Sequence, residues 1–159
     1  DLFIRNPLIT PGPALTTLSF EQYTHADTHF QNFATSKNVA DLNKMVCALC
    51  TPSFNSDNYL DLMPQVEKLN YWIRIVLFWY FLGSRRVLTH VFPNLFSSGS
   101  GDDKPSDVYL QYMALTSSMC ESPADISAVK KQLAWDVFSF LEEKIKANKK
   151  LEEQLKKYK

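Results

Sequence analysis

Two imidazoles four residues apart, His25 and His29 in the run THADTH, have the spacing at which one helix presents two ring nitrogens to a metal ion. A metalloprotease helix would carry its glutamate base directly after the first histidine, where this chain has Ala26. On a helical wheel the pair shares a face with Gln22 and Asn32, opposite a phenylalanine stripe, so both rings are expected in solvent. A metal-dependent enzyme using His25 and His29 therefore ranks third among three functional readings. Cys47 and Cys50 form a CxxC, but the pair closes a predicted helix, where the dipole disfavours a thiolate, so these are expected to be structural thiols. Arg85 and Arg86 follow the most apolar stretch of the chain. They could grip a phosphate or an acidic partner, or cap the C-terminal carbonyls of the helix before them.

No GxSxG element is present, and four glycines in 159 residues leave no phosphate-cradling loop. No cofactor and no catalytic grouping is expected, and a protein that works by binding other proteins is the leading reading. Seventeen basic residues balance seventeen acidic ones, so no global field draws the chain to nucleic acid or an anionic membrane. The stretch from 142 to the end holds seven Lys against four Glu, a mild basic bias. Three cysteines, an odd number in a chain large enough to bury its own core, suggest a reducing compartment. The chain opens at Asp1 without Met, which leads us to expect a processed product or a portion of something longer.

The elements that must carry these residues follow from apolar spacing. Residues 1–18, with Pro7, Pro11, Gly12 and Pro13, have no helical period and read as an extended arm. Its apolar Leu2, Phe3, Ile4, Leu8 and Ile9 should lie either on the parent domain or on a neighbour. Ser19 with Gln22 forms a capping box ahead of a stripe of Phe20, Tyr23, Ala26, Phe30 and Phe33. Asn38 caps a second helix that should stop near Cys50, because Thr51 precedes Pro52.

A third helix is predicted from Met63 through Tyr80. Its second half, YWIRIVLFWYFLG, is apolar on nearly every side, the pattern of a helix buried all round at the centre of a fold. At about thirteen residues and with Arg74 inside it, the run is shorter than the roughly 20 residues of a membrane span. Gly83 and Ser84 are expected to break it into two pieces. A further helix runs from Pro105 to Met119, and another from Ser122 and Pro123 continues through Leu133, Val137, Phe140 and Leu141 into the tail. The tail's thin stripe of Ile145, Leu151, Leu155 and Tyr158 suits docking on another subunit. The expected fold is all-α, a single-domain bundle of about five to seven helices. The Pro-rich arm covers residues 1–18, the core 19–141, and a charged C-terminal helix 142–159.

Residues 18–52, LSFEQYTHADTHFQNFATSKNVADLNKMVCALCTP, resemble a pattern in conserved small proteins encoded among the virion and tail genes of phages and prophages of Bacteroidota. There a helix opened by Thr/Ser-Phe-Glu-Gln is followed by a short helix ending before a proline. Residues 71–96, YWIRIVLFWYFLGSRRVLTHVFPNLF, are similar to that family's apolar helix, small-residue break, basic pair and closing Phe-Pro-x-x-Phe, and residues 112–145 look like its last helices. The match departs at Cys50 and Thr51, where the family tends to place an aromatic. The resemblance implies a phage structural or tail-assembly protein, located in the virion or the host cytoplasm. Its partners would be other phage structural proteins or copies of itself, reached through the arm, the arginine pair and the C-terminal stripe. The second reading is a cytosolic helical chaperone or adaptor that the finished particle does not retain.

Overall fold

The structure, a computed structural model, describes residues 8–96 and 108–157, with side chains described from residue 111 in the second stretch. The protein is all-α, and among the described residues there are eight α-helices, two 3-10 turns and no strand. The helices are α1 (Phe20–Ser36), α2 (Val39–Cys50), α3 (Met63–Glu67), α4 (Tyr71–Val91), α5 (Pro93–Phe96), α6 (Val108–Met119), α7 (Asp125–Lys131) and α8 (Ala134–Lys157).

The first two helices begin where local chemistry places them. The Ser19 hydroxyl accepts from the Gln22 backbone N–H at 3.1 Å, and the Asn38 side chain accepts from Ala40 N–H at 3.0 Å. The capping box is only half made: the Gln22 amide turns away and donates to the carbonyls of Ala48 and Thr51, tying α1 to the end of α2. Helix α1 is the hub of the core. Tyr23 is fully buried, its ring 4.9 Å from that of Phe138 in α8 and 5.8 Å from that of Phe81 in α4, while Phe30 stacks on Phe78 at 4.8 Å.

The expected buried-all-round helix is the wrong one. In α2, all six residues from Met45 to Cys50 are buried, because Cys47, Ala48 and Cys50 are small enough for neighbours to close in on every side. In α4 only Phe78, Phe81, Ser84 and Leu88 are buried. The opposite face lies in solvent.

Three helix boundaries also differ from expectation. The helix predicted from Met63 to Tyr80 is broken at Asn70, whose side chain accepts from Trp72 N–H at 2.9 Å and so starts α4 afresh. Gly83 and Ser84 do not interrupt α4. Gly83 keeps a negative φ, and a lone glycine costs a helix only about 1 kcal/mol relative to alanine. The helix expected to run unbroken from Pro123 into the tail divides at Gln132 and Leu133. There Phe20 N–H donates to the Gln132 carbonyl at 2.7 Å and Ala134 N–H donates to the Leu18 carbonyl at 2.9 Å. Those partners from the start of α1 replace the helical bonds and rotate α8, so Phe138 becomes core while Leu133 and Phe140 face water.

The described part of the arm, residues 8–18, packs on its own domain. Leu15 and Leu18 are buried, Ile9 N–H donates to the Cys50 carbonyl at 2.8 Å, and Trp135 donates its indole N–H to the Ala14 carbonyl at 2.9 Å. Gly12 suits a close approach here: a Cβ on it would lie 2.6 Å from the Thr17 methyl and force that side chain, whose hydroxyl receives the Gly12 N–H, to move. Leu2, Phe3 and Ile4 lie outside the described residues.

The neighbouring residues Phe138 and Phe140, 1% and 53% exposed, test the α8 register. Phe138→Ala is expected to destabilise the fold by about 3–5 kcal/mol, and Phe140→Ala by no more than about 0.5 kcal/mol, both read from urea unfolding followed by circular dichroism.

Candidate functional site

Helix α4 carries two apolar faces back to back. Its inner face meets the rings of α1 through Phe78 and Phe81, with Leu88 also buried. Its outer face presents Trp72, Val76 and Trp79 at 70%, 65% and 60% exposure, with Ile73 at 50% beside them and Val87 and Val91 continuing the surface. Positions 72, 76, 79 and 83 follow the i, i+4, i+7, i+11 spacing of a single stripe. Gly83 extends it as an opening, since a Cβ there would find nothing within 4 Å. An apolar stripe with two open tryptophans is larger than the scattered exposed hydrophobics of an ordinary monomer surface.

Three polar ties fix the rotation of α4 that turns this face outward. Near its start, Arg74 donates to the Asn43 side chain of α2. In its middle, the Tyr80 hydroxyl donates to the Gly12 carbonyl of the arm. Toward its end, Arg85 forms an ion pair with Asp27 of α1 at 2.7 Å, its guanidinium lying 5.1 Å from the centre of the Phe30 ring.

The Asp27 carboxylate is fully buried, and Tyr112 of α6 and Gln31 each donate to its other oxygen at 2.8 Å. Burial pushes the Asp27 carboxyl up, against Arg85, Tyr112 and Gln31, which all favour the charged form. Tyr23 is raised by burial and by the Asp27 charge, and Tyr112 likewise. Arg85 is thus engaged with a carboxylate rather than standing open for a partner or capping its own helix. Arg86 is exposed.

The histidine pair is not in solvent. His25 and His29 lie under the segment between α2 and α3. The His25 ring is 5.3 Å from Phe54 and 5.4 Å from Tyr59, and His29 Nε2 shares a 2.8 Å hydrogen bond with the Tyr59 hydroxyl. Burial pushes both histidines down, His29 to about 4. The expectation of solvated rings failed because the wheel cannot show a loop folding back over the polar side of a helix. Asp41 reaches His29 Nδ1 only at 3.8 Å, and no group of three His, Cys, Asp or Glu side chains placed to hold a metal occurs among the described residues. Cys47 and Cys50 are buried, and burial pushes their thiols up to about 12 and about 11, the opposite of an activated pair.

The C-terminal stripe separates into two parts. Glu142 is buried and accepts from Asn94 N–H at 3.3 Å, from the Asn94 side chain at 2.7 Å and from Leu95 N–H at 2.9 Å, capping α5. Burial acts to raise its carboxyl, and these hydrogen bonds prevail and lower it. Lys144 donates to the Ser118 carbonyl and Lys149 to the Asn94 side chain. The body therefore reaches past residue 141, Ile145 is half-buried, and Leu151 and Leu155 stand exposed beyond it. Tyr158 lies outside the described residues. Leu8 packs against the core and Ile9 is exposed. Of the described candidates, Leu8 and Arg85 are taken up by the body of the fold, while Ile9, Arg86, Leu151 and Leu155 are exposed.

Reading the sequence alone missed Asp27, Tyr112 and the outer tryptophans. Asp27 had left a signal: it stands four residues after Tyr23 and three before Phe30, a carboxylate within an apolar stripe. Among the described residues no helix is long and apolar enough to cross a membrane. Comparisons with protein-family models, curated proteins and solved structures find no match to this chain.

Arg85→Met leaves the Asp27 charge buried without its counter-ion and is expected to destabilise the fold by about 3–5 kcal/mol. The double variant Asp27→Asn with Arg85→Met, which keeps an acceptor for Tyr112 and Gln31, should recover more than half of that in urea unfolding. His29 has a lowered folded pKa, so its contribution is complete above the unfolded value of 6.5 and is lost as pH falls toward about 4. Allowing for partial solvent access, wild type should lose on the order of 1–2 kcal/mol more than His29→Gln between pH 7 and pH 4, measured as the difference in unfolding free energy.

Proposed function

We propose that this chain is a helical assembly protein, a structural or tail-assembly component of a phage particle, which works by binding other proteins and not by catalysing a reaction. The observation that carries the binding reading is the outer face of α4, where Trp72, Val76 and Trp79 lie open on a helix whose rotation is fixed by Arg74, Tyr80 and Arg85. Tryptophan is enriched among residues that dominate interface energetics, because a rigid ring gives a large contact area for little lost conformational freedom. Leu151 and Leu155 on the last turns of α8 supply a second, thinner apolar contact. The phage particle as the setting rests on the resemblance of residues 18–52 and 71–96.

Mass spectrometry of particles purified from cells that produce them tests this reading. We expect the chain in stoichiometric amount. We also expect a Trp72→Ser, Trp79→Ser variant with unchanged helical circular dichroism to fall at least tenfold in incorporation, consistent with hot-spot losses of about 2 kcal/mol or more. Equal incorporation of the variant would remove the α4 face from the proposal, and absence of the chain from the particle would remove the structural role.

A further inference from the structure

We infer that the occupant of the α4 outer face is a second copy of this chain, docked antiparallel about a two-fold axis that passes between Leu77 and Phe78. The inference rests on reading that face as a protein-binding surface and adds the identity and geometry of the partner.

The order of side-chain sizes along the stripe supports it. A two-fold axis between positions 77 and 78 sets position 72 of one copy against 83 of the other, and 76 against 79. The stripe reads Trp72, Val76, Trp79, Gly83, so each tryptophan meets a small residue: Trp72 meets the opening at Gly83, and Trp79 meets Val76. Isologous interfaces need this kind of self-complementarity, in which a surface matches its own rotated image. A parallel pairing would set Trp72 on Trp72 and leave facing glycines with a gap between them.

Area agrees with the same partner. A fully exposed aromatic side chain presents about 150–250 Å², so Trp72 and Trp79 at 70% and 60% exposure offer roughly 300 Å² between them. Within the overlap of residues 71–84, Ile73, Val76 and the half-exposed Tyr71 bring the apolar face to roughly 600 Å² per copy, so that two copies together reach the roughly 1,200 Å² at which specific interfaces begin.

Charge is compatible with this partner. Arg74 and Arg85 turn inward to Asn43 and Asp27, so of the three arginines of α4 only Arg86 lies exposed. In the antiparallel pair the outward Arg86 side chains lie about 25 Å apart along the axis at 1.5 Å per residue, beyond the roughly 8 Å Debye length at physiological salt. A net charge of zero leaves no overall repulsion between copies.

Sedimentation equilibrium of the full chain over a range of concentrations should give a dimer of 18.3 kDa chains in reversible equilibrium with monomer. Tryptophan emission should shift to the blue as the dimer forms, because two of the three tryptophans become covered. Gly83→Leu fills the opening, where the monomer has free space, and should weaken dimerisation at least tenfold while leaving helicity intact. In a Trp72→Ala background the same substitution should change the dimer constant less than threefold. Positions 72 and 83 are about 16 Å apart within one helix, so non-additivity between them can arise only across the two copies.

A chain that stays monomeric at every concentration, a dimer indifferent to Gly83→Leu, or strictly additive effects would overturn the pairing. So would a monomer whose Trp72 and Trp79 resist acrylamide quenching, which would mean that the chain covers its own face, or a monomer that binds phosphatidylcholine vesicles through them. Failure here is distinct from failure of the particle reading. A monomer that still needs Trp72 and Trp79 for incorporation defeats the pairing alone, whereas a dimer seated on α4 in a chain that is absent from the particle supports the pairing and defeats the particle role.

Discussion

The buried ion pair between Asp27 and Arg85 is the constraint on which the rest of the arrangement depends. Withdrawing the Asp27 charge from water costs several kcal/mol, and the attraction of Arg85, whose side chain keeps 29% exposure, offsets that only when geometry is good and the remaining polar atoms are satisfied. Here the pairing distance is 2.7 Å, and Tyr112 and Gln31 complete the carboxylate. The pair joins α1 to α4 directly and draws in α6 through Tyr112. Such a pair adds little net stability over apolar side chains of the same volume, but it is intolerant of rotation. Turning α4 by one residue would move Arg85 away from a charge that has no other counter-ion among the described residues, and that intolerance holds Trp72, Val76 and Trp79 in water.

Around this pair the core is organised by one helix rather than by the most hydrophobic one. Helix α1 is modest in apolar content, yet Tyr23, Phe30 and Phe33 each meet rings from other helices. Helix α4 has more apolar side chains than one buried stripe can use. The surplus lies on the side that no element of this chain covers among the described residues, and it is there that the chain can gain by associating.

Chain segments far apart in sequence close the bundle through hydrogen bonds that engage each other's backbone groups. Residues 18–20 take hydrogen bonds with the joint between α7 and α8, the arm is tied to Cys50, Tyr80 and Trp135, and Glu142 caps α5. Each satisfies polar groups that a helix end or an irregular segment would otherwise leave buried and unpaired. His25 and His29 lie against Phe54 and Tyr59, and both cysteines of the CxxC are buried.

The sequence by itself determined the helical class, the starts of α1 and α2 at Ser19 and Asn38, and the stop at Cys50 ahead of Pro52. These depend on side chains bonding to backbone within three residues, and on apolar spacing along a single helix. It also determined that the run from Tyr71 to Gly83 is apolar all round. Only the tertiary structure decided which of its faces would be covered, because a periodicity records how many apolar sides a helix has and not how many neighbours the fold supplies. The same limit explains the break at Gln132, where the competing hydrogen bonds come from residues more than a hundred positions earlier. It explains Arg85 as well, whose partner Asp27 lies 58 residues upstream: attraction between charges depends on distance in space, and spacing along the chain does not encode it.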